Sequence, residues 1–167
     1  MRAAVLRKGG FVVEELVNPT LEKLGEGAIV RVIGCGLCGS DIVKYTHNLV
    51  KDGAVLGHEV IGEIVEINSN SDFKVGDKVA VAHHYPCLSC NFCKHENYSM
   101  CQTFKKSNIK PGGFSEYILV DDNHLKYTVY KMSSDLDDDE NISIEEPKTQ
   151  ESLNSVNADD SVRIYLQ

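Results

Sequence analysis

The stretch Cys87-Leu88-Ser89-Cys90-Asn91-Phe92-Cys93-Lys94-His95-Glu96-Asn97-Tyr98-Ser99-Met100-Cys101 packs four of the chain's six cysteines into one segment, spaced C-x2-C-x2-C-x7-C. Two-residue gaps let successive thiolates converge on one ion, and four thiolates complete the closed tetrahedron of a structural zinc. Such a site contributes about 10–16 kcal/mol of apparent binding free energy, which becomes folding free energy for a loop poor in apolar residues. Leu88, Phe92, Tyr98 and Met100 are the only sizeable hydrophobes between the first and last cysteine, so the metal would replace a core. Three other readings stay open. The thiols could be reduced and unliganded. They could hold an iron–sulfur cluster, although Gln102 stands where the bacterial ferredoxin run has proline. They could also form a nucleic-acid zinc ribbon, although Lys94, Lys105, Lys106 and Lys110 are scattered.

Outward from this lobe the sequence reads as short strands: Arg2–Leu6, Phe11–Leu16, Ala28–Ile33, Val60–Ile67, Lys78–His83 and Phe114–Val120. Val, Ile and aromatic residues are enriched in them, and Gly- and Asn-rich turns such as Gly25-Glu26-Gly27 and Pro111-Gly112-Gly113 separate them. The pattern predicts a mainly β body over residues 1–131, a closed or nearly closed barrel that removes exposed edges. Residues 132–160 read as an acidic linker or helix remnant, poorly ordered because Asp135–Glu140 holds a single large apolar residue. Ser161–Leu166 reads as one more strand.

The formal charge of -8 belongs to the tail. Residues 1–134 carry 15 basic against 15 acidic side chains, and residues 135–167 carry 2 against 10. A neutral body lacks the clustered Lys and Arg that phosphate contacts need, so nucleic acid and anionic membranes are not expected partners. With no apolar run long enough to span a bilayer and no secretory pattern at Met1–Lys8, the expected location is cytoplasmic, where thiols stay reduced.

Two further motifs carry chemistry. Gly34-Cys35-Gly36-Leu37-Cys38-Gly39-Ser40-Asp41 follows a predicted strand, and Gly57-His58-Glu59 precedes another. With the cysteine lobe, Phe73-Lys74-Val75-Gly76-Asp77-Lys78-Val79, Gly112-Gly113-Phe114-Ser115-Glu116-Tyr117 and Glu146-Pro147, they make nearly the whole chain resemble the zinc-dependent medium-chain dehydrogenases, the alcohol, sorbitol and threonine dehydrogenase superfamily.

The resemblance implies a GroES-like β-barrel with two zinc ions: a structural one at Cys87, Cys90, Cys93 and Cys101, and a catalytic one at Cys38 and His58. Glu59 would be a direct ligand or one that exchanges with water, and Glu146 a further ligand or proton-relay group. Ser40 would pass the substrate hydroxyl proton outward, and Asp41 would orient His58. A zinc with an open position lowers the pKa of a bound alcohol, which readies it to give up hydride to a nicotinamide. Read without the resemblance, Ser40 and Asp41 also suit a turn or helix cap. Glu146 suits a solvated charge, Cys35 a small buried hydrophobe, and the remaining histidines, His83 and His84 among them, surface or packing roles.

The match also has gaps. Val43 stands where many members have a relay histidine. Ser161–Gln167 resembles the first strand of a Rossmann domain, and no glycine-rich phosphate turn follows it. NAD(P) binding is therefore expected only of a full-length relative, and hydride transfer is not expected from these residues alone. The implied substrate is a small alcohol or polyol, with a separately encoded Rossmann domain or a second copy of the chain as possible partners. The alternative is a non-enzymatic zinc-binding fragment or binding module.

Overall fold

A computed structural model describes residues 1–8, 10–23 and 25–132 together with a short strand at Val162–Arg163. The body is mainly β with short helices, as expected. All six predicted strands form: β1 (Arg2–Arg7), β2 (Gly10–Glu15), β3 (Gly27–Leu37), β4 (Glu59–Asn68), β5 (Lys78–Ala82) and β6 (Tyr117–Asp121). β7 (Val129–Lys131), only three residues long, was not foreseen, and β8 is the Val162–Arg163 segment. Glu146, the acidic linker and most of the tail lie outside the described residues.

β3 is the spine. Its run Ala28-Ile29-Val30 is buried because the strand is covered on both edges, by β4 on one side and β6 on the other, all antiparallel. The described sheet runs β6–β3–β4–β5–β7, with β8 pairing the far end of β3 at Gly36 and Leu37. The ladder is an open path, and its outer strands are short or covered. Lys110 bridges Leu119 on β6, and the β1–β2 hairpin is tied to the loop before β6 by Ala4 N–H donating to Phe114 (2.8 Å) and Glu116 N–H donating to Arg2 (3.1 Å). Val30, Val60, Ile64, Val79, Phe114 and Ile118 fill the core. Among the described residues no helix is long and apolar enough to cross a membrane.

Register positions the chemistry. Two register shifts in the β3–β4 ladder, at Ile29/Val30 and Val32/Gly34, bend the spine as bulges do. Beyond them Gly36 pairs with Glu59, so Cys38, just past the end of β3, and His58, just before β4, arrive at the same end of the sheet. α1 (Gly39–Thr46) starts there, and its periodicity is inverted: Asp41 is buried while Ile42, Val43 and Tyr45 are exposed. Its apolar residues fall at helical spacing, but the side they form is the exposed one.

At the other edge, α4 (Asp122–Tyr127) is capped by Asp121, whose carboxylate accepts from the His124 amide and ring Nδ1, both at 3.0 Å, and from the Tyr85 hydroxyl at 2.9 Å. Burial opposes ionisation of Asp121, but the His124 and Tyr85 donors prevail and hold it at about 2. Its folded value lies below the ordinary carboxylate value of about 3.9, so the carboxylate's stabilisation is full above pH about 4 and fades as pH falls toward 2. Asp121→Asn is expected to cost about 1–2 kcal/mol at pH 7, allowing for partial solvent screening. In urea unfolding across a pH series, the difference from the parent should shrink between pH 4 and 2; a difference that stays constant contradicts this assignment.

Candidate functional site

Two clusters of metal-ligating side chains occur among the described residues. In the first, ligand atoms of Cys87, Cys90, Cys93 and Cys101 all lie within 4.8 Å of one another. The lobe has two very short helices, α2 (Asn91–Lys94) and α3 (Gln102–Lys106), whose N-caps are Cys90 and Cys101. Leu88 takes a left-handed conformation, φ 55°, that lets the chain double back; the Cys90 amide then donates to Cys87 Sγ at 3.3 Å, and the Cys87 amide to Cys101 Sγ at 3.4 Å. Ser89, by its hydroxyl and amide, draws the Cys87 thiol down to about 5, and the amides of Cys87 and Phe104 lower Cys101, whereas burial among sulfurs pushes Cys93 up to about 12. Four thiols this close cannot all ionise without a cation among them, and this donor set fits a structural zinc.

In the second cluster Cys38, His58 and Glu59 bring ligand atoms within 4.8 Å of one another. Cys38 is the N-cap of α1 and forms a capping box with Asp41: Cys38 Sγ accepts from the Ser40 amide at 3.5 Å, and the Asp41 carboxylate accepts from the Cys38 amide at 3.3 Å. The cap reading of Ser40-Asp41 and the site reading therefore coincide in one structure. Asp41, 1% exposed, also accepts from the Gly57 amide at 3.5 Å and lies 3.4 Å from His58 Nδ1. That nitrogen is buried and short of full hydrogen-bond geometry, at an ion-pair distance only. Ser40 Oγ is 3.4 Å from His58 Nε2.

The electrostatics follow. Ser40's hydroxyl and amide lower the Cys38 thiol. The Asp41 carboxylate beside Nδ1 raises His58 against the effect of burial. Burial opposes ionisation of Asp41, yet His58 and the amides of Gly57 and Cys38 together keep its carboxyl below the ordinary range. Glu59 is exposed at the mouth and folds its carboxylate directly over Gly36, into space that any larger residue would fill. Thiolate, imidazole and carboxylate converging, with Cys38 and His58 half-buried and Glu59 exposed, is a donor set that fits a catalytic zinc, as does the incompletely bonded His58 ring.

Within the motif Gly34–Asp41, residues Gly34–Gly39 also spell G-x-G-x-x-G. β3 does run into α1 there, as a dinucleotide turn would. But β3 is antiparallel to both neighbours, and the Glu59 carboxylate occupies the approach to Gly36, where it would repel pyrophosphate. His83, read from the sequence as a surface or packing residue, packs beside the site with its ring centroid 4.6 Å from that of His58. Burial, with His84 and His58 alongside, holds His83 down to about 4 and therefore neutral. The signal was in the strand register, since Ala82 pairs with Glu59. Cys35 is buried, its thiol pushed up to about 12 by desolvation, and packs as a small hydrophobe.

Residues 25–131 match the alcohol dehydrogenase GroES-like domain, and the chain belongs to that family. It is 35% identical over 114 residues to L-threonine 3-dehydrogenase of Thermococcus kodakarensis, covering 64% of this chain and 33% of that protein. It is 35% identical over 127 residues to sorbitol dehydrogenase of Bacillus subtilis, covering 71% of this chain and 35% of the relative. Galactitol-1-phosphate dehydrogenase from Escherichia coli superposes with a TM-score of 0.69 at 32% identity, over 82% of this chain and 39% of that one. The chain thus spans about a third of the curated relatives' length.

Gly57 couples the two halves of the site. At φ +86° it already favours glycine, and a Cβ there would sit 2.6 Å from Phe114 Cδ1 and 2.9 Å from Cys35 Sγ. Gly57→Ala is expected to destabilise the chain by about 2–4 kcal/mol, read as a lower urea midpoint. An unchanged midpoint would show that this close packing is not required.

Proposed function

We propose that the chain is the catalytic domain of a zinc-dependent, NAD(P)-linked dehydrogenase that oxidises a secondary alcohol or polyol. The observation that supports this most is the convergence of Cys38, His58 and Glu59 at one end of the sheet, separate from the four-cysteine lobe. A zinc held there would act as a Lewis acid toward an alcohol oxygen. Cys38 thiolate and Glu59 carboxylate, with neutral His58, would leave the site near charge balance, so an oxyanion is not repelled. Asp41 fixes the ring of His58 from behind, and its burial keeps it from competing as a ligand. Ser40 Oγ, at the His58 edge and exposed to solvent on its other side, is placed to take a substrate hydroxyl proton and pass it outward. The outward route differs from that of members with a relay histidine, since exposed Val43 cannot carry a proton.

Glu146 completes the proposal as a further ligand or relay group. Its Glu-Pro context, and relatives named threonine and sorbitol dehydrogenases, favour the polyol and threonine branches for substrate. Residues 1–131 would form the catalytic domain, 132–160 the connection and 161–167 the entry to a dinucleotide-binding domain. The glycine pattern at Gly34–Gly39 serves the metal site, so in this reading NAD(P) is held by residues outside the described ones, from a longer chain, a separate Rossmann domain or a second copy.

Metal analysis tests the assignment. The folded chain should hold two zinc ions. Cys38→Ser or His58→Ala should lose one, and substitutions in the Cys87–Cys101 lobe should lose the other. One zinc per well-folded chain, unaffected by Cys38→Ser, would contradict the catalytic centre and leave a non-enzymatic zinc-binding domain as the better account.

A further inference from the structure

The register that assembles the Cys38 centre also assembles a row of rings. Ala82 pairs with Glu59, so His83, next beyond Ala82, stands beside His58, next before Glu59. Ring centroids of His58 and His83 are 4.6 Å apart at an interplanar angle of 44°. His83 and His84 follow at 3.9 Å and 40°, then His84 and Phe104 at 5.1 Å and 49°. Phe104 belongs to α3, whose N-cap is Cys101, the last of the four clustered thiols. The row therefore runs without a gap from one metal cluster to the other.

Both flanks of the row are pinned. On the lobe side His84 Nδ1–H donates to the Ser107 carbonyl, and the Ser107 hydroxyl accepts from the Tyr85 amide at 3.1 Å and donates to the Tyr85 carbonyl at 3.2 Å. On the body side His124 Nε2–H donates to the His83 carbonyl at 3.1 Å. Asp41 approaches Nδ1 of His58 and Ser40 approaches Nε2, each at 3.4 Å. Contacts that long leave the ring room to turn about its Cβ–Cγ bond, and that turn displaces Nε2 and swings its lone pair. The His83 ring, packed 4.6 Å away at an angle of 44°, limits the turn.

We propose that His83, His84 and Phe104 are positioning residues that set the plane of the His58 ring, so that an ordered cysteine lobe strengthens metal binding at the Cys38–His58–Glu59 centre. A metal on the four thiols fixes Cys101 and with it the start of α3. Phe104 then backs His84, His84 backs His83, and His83 backs His58. The inference rests on the reading of His58 as a metal ligand.

The test is a cobalt(II) titration of the full 167-residue chain with zinc on the four cysteines, following the visible bands of thiolate-bound cobalt at the Cys38 centre. Phe104→Leu keeps apolar volume but removes the ring face. It is expected to raise the cobalt dissociation constant about tenfold, with the lobe's zinc retained. Phe104→Tyr, which restores the face, should return it to within twofold of the parent. Phe104→Leu binding within twofold of the parent, or Phe104→Tyr binding as weakly as Phe104→Leu, overturns the proposal. If Phe104→Leu loses the lobe's zinc, His84→Leu carries the same expectation and the same refutation. A parent chain that takes up no cobalt at the Cys38 centre refutes the ligand reading as well, which separates the two failures.

Discussion

A single buried carboxylate holds the candidate catalytic centre together. Asp41, 1% exposed, gathers the Cys38 amide at the end of β3, the Gly57 amide in the loop before β4, and the ring of His58. Leaving an ionised group out of water is costly unless donors surround it, and here the donors come from the two segments that must meet for the centre to exist. The same residue closes the capping box of α1, a helix whose apolar residues Ile42 and Val43 face solvent. With so little burial to hold it, α1 depends on its first turn, and that turn carries Cys38 and Ser40 to their places.

The cysteine lobe obeys a different economy. Leu88, Phe92, Tyr98 and Met100 are each more than 40% exposed, so the hydrophobes that sequence identified there form no core. The buried residues of the lobe are Cys93 and Cys101. Convergence of four thiols, two of them drawn toward thiolate and one held as thiol, gives a structure that a divalent cation would complete. The body needs no such help, because β3 is sheltered on both edges and contributes a continuous apolar run.

Much of this was legible in the residues. Alternating apolar runs between glycine turns located six strands, because burial on a pleated sheet demands that pattern. Cysteine spacing located the lobe, because donors must reach one point. What stayed hidden depends on register and on inversion. β7 is three residues long, below what periodicity detects. α1 is amphipathic but buries its acid and exposes its aliphatics, so periodicity alone points to the wrong face. The His58–His83 contact arises from the pairing of Ala82 with Glu59, which no local pattern announces. Glu146, picked from a two-residue motif, lies outside the described residues.

If Asp41 organises the Cys38–His58–Glu59 centre, replacing its charge without its shape must weaken metal binding there. Zinc affinity at each centre of Asp41→Asn would be measured by chelator competition. A 10- to 100-fold loss at the Cys38 centre is expected, with the four-cysteine centre unchanged. Unaltered affinity at the Cys38 centre in a folded Asp41→Asn chain would contradict it.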